Sequence, residues 1–134
     1  MIVTLALAFT PLWMTPIPLP VAEPDGTPSL SVTNLKHNLV AVFTMTGATP
    51  GRSCGLIVSL SGAGPTTVST GPCPTLTVDL SPRFFYLGTV NSDGTGKAIW
   101  TQPIPPNAGG RTIWAQGVSF YFCEVSNLLN EVVQ

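Results

Sequence analysis

From residue 29 onward, apolar side chains recur at every second position in short runs, and Gly, Pro, Ser and Asn separate the runs. A period of two places alternate side chains on opposite faces of an extended strand, whereas a helix needs apolar positions three and four apart. Leu30 and Val32 alternate with Ser and Thr, and Leu39, Ala41, Phe43 and Met45 repeat the pattern. Cys54, Leu56, Val58 and Leu60 line one face of the next run, and Leu76, Val78 and Leu80 one face of the run after it. FFYLGTV at 84–90, KAIWTQ at 97–102, RTIWAQGVSFYF at 111–122 and a last segment near 128–133 complete the series. Turn residues at 47–51, 61–65 and 91–96, and a Pro-rich loop at 103–110, punctuate it. Short strands at this spacing predict an all-β chain, an antiparallel Ig-like β-sandwich of about eight or nine strands over 29–134. Thirteen glycines and 14 prolines leave little room for helix, and only Ser126 to Val133 could make a short helical turn.

Charge narrows the function classes. Charged residues make up 8% of the chain, against roughly 25% in an ordinary globular domain. Five Lys and Arg face six Asp and Glu, for a net charge of -1, and no basic run could neutralise a phosphate backbone. Nucleic acid is therefore not an expected partner. Disorder is not expected either, because 44% of the residues are hydrophobic and mean hydropathy is +0.38. The outward faces must be covered mainly by Thr, Ser, Asn and Gly. Edge strands with so few charges invite pairing with another chain.

Residues 1–28 read as an apolar leader and Pro-rich linker, ahead of the domain at 29–134. The stretch from Ile2 to Met14 is too short to span a bilayer, which needs about 20 apolar residues. It fits a secretory signal peptide with its apolar region at 2–9 and a polar boundary near Glu23 to Gly26. Against this, no Lys or Arg precedes the run, and the only Ala-x-Ala triplet, Ala6 to Ala8, comes early. The alternative is a strand with Val3, Leu5, Leu7 and Phe9 on one face and Ile2, Thr4, Ala6 and Ala8 on the other. So apolar a strand must be buried in its own sheet or lent to a neighbouring subunit.

Cys54, Cys73 and Cys123 permit one bridge and leave one thiol over. The preferred pairing is Cys73 with Cys123, which closes a loop of about 50 residues worth up to roughly 4 kcal/mol in the chain-entropy model. Such a bridge implies oxidising surroundings. Cys54 then reads as a buried thiol acting as a small hydrophobe.

One order of motifs is recognisable: Gly71-Pro72-Cys73-Pro74, TLTVDLSP at 75–82, LGTVNSDGTGKA at 87–98, a loop ending Ala108-Gly109-Gly110, TIWAQGV at 112–118, and Cys123-Glu124-Val125-Ser126-Asn127. Over about residues 30–134 it resembles the C-terminal β-sandwich module of secreted multidomain proteins of planctomycetes and myxobacteria. The resemblance implies a Cys73–Cys123 bridge, Asp93 and Gly94 in a hairpin turn, Gln116 on the penultimate core strand, and Ser126 with Asn127 at the closing turn. The chain departs from the pattern at Gly117, where the family usually has Ala, in the additional Cys54, and in having no large domain before the module. All the roles carried over are structural.

Candidate chemistry is sparse. His37, the only histidine, lies in the polar turn Lys36-His37-Asn38, a position that offers a Ser-His-Asp triad neither burial nor an oxyanion hole. A blue-copper site would need two histidines, and no cysteine or histidine pair has zinc spacing, so no metal or other cofactor is expected. Asp79 and Asp93 are explained by strand-end and turn positions. Asn91 to Gly96 resembles part of a calcium loop but lacks the distal bidentate Glu, and a plain hairpin turn through Asp93-Gly94 explains it better. Trp100 and Trp114 could form a platform for sugar rings, with Tyr86 or Tyr121 beside them, if Ile113 and Ala115 face inward and Trp114 outward; core packing is the alternative. The sequence thus points away from an enzyme. It suggests an exported structural or adhesive unit at the cell surface, such as the repeating subunit of a filament or sheath, whose partners are further copies or other surface proteins; the alternative is a carbohydrate-binding module.

Overall fold

The computed structural model describes residues 28–70 and 72–134. Among these the chain forms ten strands and no helix: β1 (Ser29–Thr33), β2 (Val40–Thr46), β3 (Ser53–Ser59), β4 (Ala63–Val68), β5 (Leu76–Leu80), β6 (Phe84–Asn91), β7 (Ala98–Pro103), β8 (Thr112–Ser119), β9 (Glu124–Val125) and β10 (Leu129–Val132). Every ladder is antiparallel. One sheet has the order β1-β2-β7, a second the order β10-β8-β3-β6 with β9 also on β8, and β4 and β5 form a separate two-stranded ribbon. The segment open to a helical turn, Ser126 to Val133, contains β10.

Period-two alternation produces two cores, one on each face of the five-stranded sheet. Leu30, Ala41, Phe43, Met45, Ala98 and Trp100 of the three-stranded sheet pack against Cys54, Leu56, Val58, Ile113 and Ala115 of β3 and β8. The other faces of β3 and β8 send Ile57 and Val118 into a second cluster with Leu76, Val78 and Leu80 of β5. Burying one such aliphatic side chain fully contributes about 1.5–3 kcal/mol. β3 and β8 are consequently buried on both faces. The sequence reading had left those outward faces to polar cover; the ribbon covers them instead.

The ribbon contains the strand that the sequence hides. Gly64-Pro65 reads as a break, yet β4 runs through it, because the β4–β5 register shifts between Ala63 and Thr66. A proline in such an irregularity forfeits no ladder hydrogen bond. Cys73 and Cys123 are bridged, with Cα atoms 5.6 Å apart, as the preferred pairing required. The bridge ties the segment entering β5 to the turn before β9.

The closing turn binds the layers together through side chains. Gln116, 1% exposed, accepts the Asp79 N–H through Oε1 at 2.7 Å and donates from Nε2 to the Ser126 carbonyl at 2.8 Å. Ser126 Oγ accepts the Gly117 N–H. Asn127 accepts the Leu30 N–H and donates to the Leu30 carbonyl, so its amide acts as a partner for the open side of β1. Gly117 also has a packing reason: a Cβ there would lie 2.5 Å from Met45 Sδ across the first core.

Candidate functional site: an uncharged edge strand between two clefts

The residues with chemical potential are scattered and individually occupied. Exposed His37 directs Nδ1 at the Gln134 carbonyl, 2.9 Å away. Asp93 Oδ1 accepts from the Thr95 N–H, the Thr95 hydroxyl and the Lys97 N–H at 2.7–3.0 Å. These donors hold its pKa down at about 2, the Lys97 N–H contributing most. They are the wrong polarity for a neighbouring cation, so the segment is a tight turn; it is not the expected hairpin, because β6 and β7 do not pair and the turn carries the chain from one sheet to the other. Cys54 is unbridged and buried, and burial pushes its thiol pKa up. Among the described residues no three His, Cys, Asp or Glu side chains gather into a metal-binding group.

The expected tryptophan platform does not form. Trp100 is 5% exposed and packs in the first core, with Nε1 donating to the Gly88 carbonyl at 3.1 Å. Trp114 does sit opposite in sense to Ile113 and Ala115, but it packs half-buried against the second core, which the ribbon completes. Val3, Leu5, Leu7 and Phe9, the expected assembly strand, lie outside the described residues.

What the fold does expose is β6. It forms one edge of the five-stranded sheet and carries no charged residue along FFYLGTVN. Phe85 is 57% exposed and Tyr86 52%. Alternation sends them to opposite faces: Phe85 opposite Val58 of the first core, Tyr86 opposite Ile57 of the second. Towards its C-terminal end the strand is guarded by a register shift opposite Leu56/Ile57 and by the Trp100 indole on Gly88. Phe84 to Tyr86 has neither device.

A cleft opens on each side of β6. One, of about 540 Å³, lies between the ribbon and β3, with Ile57, Val68, Leu76, Phe84, Tyr86 and Phe120 in its lining. Gly55 makes it possible, because a Cβ there would stand 2.7 Å from the Tyr86 ring and 2.9 Å from Phe120. The Tyr86 hydroxyl bonds to Thr89. The other cleft, of about 260 Å³, enters between the two larger sheets beside Phe85. Elsewhere on the surface, the Arg52 guanidinium lies 4.4 Å from the Tyr121 ring centroid, and Tyr121 meets Phe122 edge to face. Sequence reasoning passed over Phe85 as one residue of a strand. The available signal was the run Phe84-Phe85-Tyr86, which breaks alternation and must put an aromatic ring on each face.

No helix of the described residues is long and apolar enough to cross a membrane. No protein-family model matches the chain, and no curated protein matches it. Among solved structures it is similar to macromomycin, at 14% identity and a TM-score of 0.48, over 81% of this chain and 100% of that one.

Proposed function

We propose that this chain is a non-enzymatic, exported Ig-like β-sandwich that acts as a structural or adhesive unit, associating with further copies of itself along β6. The observation that carries this reading is the uncharged segment Phe84 to Tyr86 on a sheet edge, with Phe85 and Tyr86 more than half exposed. Soluble proteins ordinarily blunt such an edge with Lys, Pro or a covering element. The Cys73–Cys123 bridge favours an oxidising compartment, as does the resemblance to modules of secreted proteins. Strand addition to a free edge gives affinity through main-chain hydrogen bonds that any extended apolar segment can supply. The apolar run at 2–9 of a neighbouring copy is such a segment.

Two variants test this. Tyr86→Lys places a charge on the edge and should reduce self-association of the full chain in sedimentation velocity. Deleting residues 1–20 should abolish assembly and leave a monomer; assembly unaffected by the deletion would remove strand lending. Tyr86 and Tyr121, both about half exposed, support a second reading, a glycan-binding face around the ribbon cleft. Calorimetric titration with soluble polysaccharides separates the two, and no heat with any glycan would retire that alternative.

A further inference from the structure

The cleft between the two larger sheets has features that self-association along β6 does not use. Its floor is first-core side chain: Phe43, Val58 and Ile113, with Ile104 as one wall. Its volume of about 260 Å³ exceeds the ~150 Å³ of an apolar cavity that takes up benzene. Space of that size suits an aryl group or a chain of about eight carbons. The lining contains a single charged side chain, Arg111, with the amides of Gln102 and Asn107 also present. Gln102 Nε2 is already committed to the Pro103 carbonyl.

The position of Arg111 is fixed by its backbone. Its N–H donates to the Ala108 carbonyl at 3.1 Å, and its carbonyl accepts the Val133 N–H at 2.8 Å. The guanidinium-bearing residue is exposed at the immediate start of β8, two residues before Ile113 on the cleft floor. Arg111 and Ile113 both line the cleft, so the cation stands at the rim of the apolar floor. Glu131, paired in register with Ile113 on β10, is the neighbouring carboxylate and is not part of the lining.

We propose that this cleft binds a small amphipathic monoanion, its apolar part between the sheets and its carboxylate or equivalent head group at Arg111. An apolar pocket with one polar anchor is the usual form of a small-molecule site, the anchor setting orientation. Phe85 and Leu87 of β6 also line this cleft, so ligand binding is measured below the concentration at which the chain associates; Tyr86 takes no part in the lining and reports on association alone.

Isothermal titration of the full chain with octanoate and with octanol provides the test. Octanoate should bind more tightly by about three- to fivefold, the range of an ion pair at a solvated rim, and the preference should shrink at high salt. Arg111→Gln, at an exposed position, should bring the two affinities together without changing that for octanol. Glu131→Gln should strengthen octanoate binding. Ala108→Leu, which narrows the cleft wall, should weaken both ligands. Absence of binding, equal affinity for the two ligands in the unaltered chain, or a preference that survives Arg111→Gln would each overturn the proposal. Octanoate binding that Ala108→Leu leaves intact would place the ligand elsewhere and overturn it too. Tyr86→Lys should change self-association and leave octanoate affinity alone, so either reading can fail without the other.

Discussion

Replacing Gln116 by Met tests whether the layers are joined by its amide or merely by its bulk. Met keeps nearly the same length and removes both hydrogen bonds, leaving the Asp79 N–H and the Ser126 carbonyl without their partner. Each buried group so orphaned costs about 1–3 kcal/mol. Asp79 is exposed as a residue and its amide can recruit water, whereas Ser126 is buried, so a joint cost of about 3 kcal/mol is reasonable. The more apolar thioether side chain returns about 1 kcal/mol through burial. The net loss should be about 2 kcal/mol, a sizeable part of a domain stability of about 5–15 kcal/mol. Urea unfolding gives this number directly as a shift in midpoint at constant slope. Hydrogen exchange supplies the local readout, with protection of the Asp79 amide falling more than that of amides in β2. Stability within about 0.5 kcal/mol of the unaltered chain, inside the range of a surface substitution, together with an unchanged Asp79 amide, would refute the reasoning.

Removing the bridge by replacing Cys73 and Cys123 with Ala should cost about 4 kcal/mol in the chain-entropy model for a loop of 50 residues; a loss below about 1 kcal/mol would show that the ribbon is held by the second core alone. Ser119 Oγ is buried without a hydrogen-bond partner among the described residues. Ser119→Ala should therefore be neutral or stabilising by up to about 1 kcal/mol, and clear destabilisation in urea would point to a missed partner. Asp93 has its folded pKa depressed to about 2, below an unfolded value near 3.9. Its contribution is therefore present above about pH 4 and lost as the pH falls towards 2. The melting temperatures of the unaltered chain and Asp93→Asn should converge over that window; parallel curves would contradict the turn assigned to Asp93.

Alternation gave the strand positions wherever each strand had one face in the first core. Leu30, Phe43, Leu56 and Ile113 all point where a period of two puts them. It gave β5 through Leu76, Val78 and Leu80 but was silent on β4, because Pro65 in a register irregularity reads the same as Pro65 in a loop. With β4 missed, β5 had no partner to make a covering layer with, and Trp114 was open to a reading as a ligand platform. Ser126 and Asn127 were legible as a closing turn, but not as the groups that satisfy Gly117 and Leu30. The clefts beside β6 depend on where two sheets and a ribbon separate, which is set by tertiary packing and leaves no local pattern. Gly55 is the nearest thing to a trace, a glycine within an otherwise bulky strand that admits the Tyr86 ring.

Sedimentation velocity of the full chain over a rising concentration series, run beside Tyr86→Lys under oxidising conditions, is the most direct test of association along β6. The sedimentation coefficient should climb with concentration for the unaltered chain and stay at the monomer value for Tyr86→Lys. A concentration-independent monomer in both, or identical association in both, would contradict it.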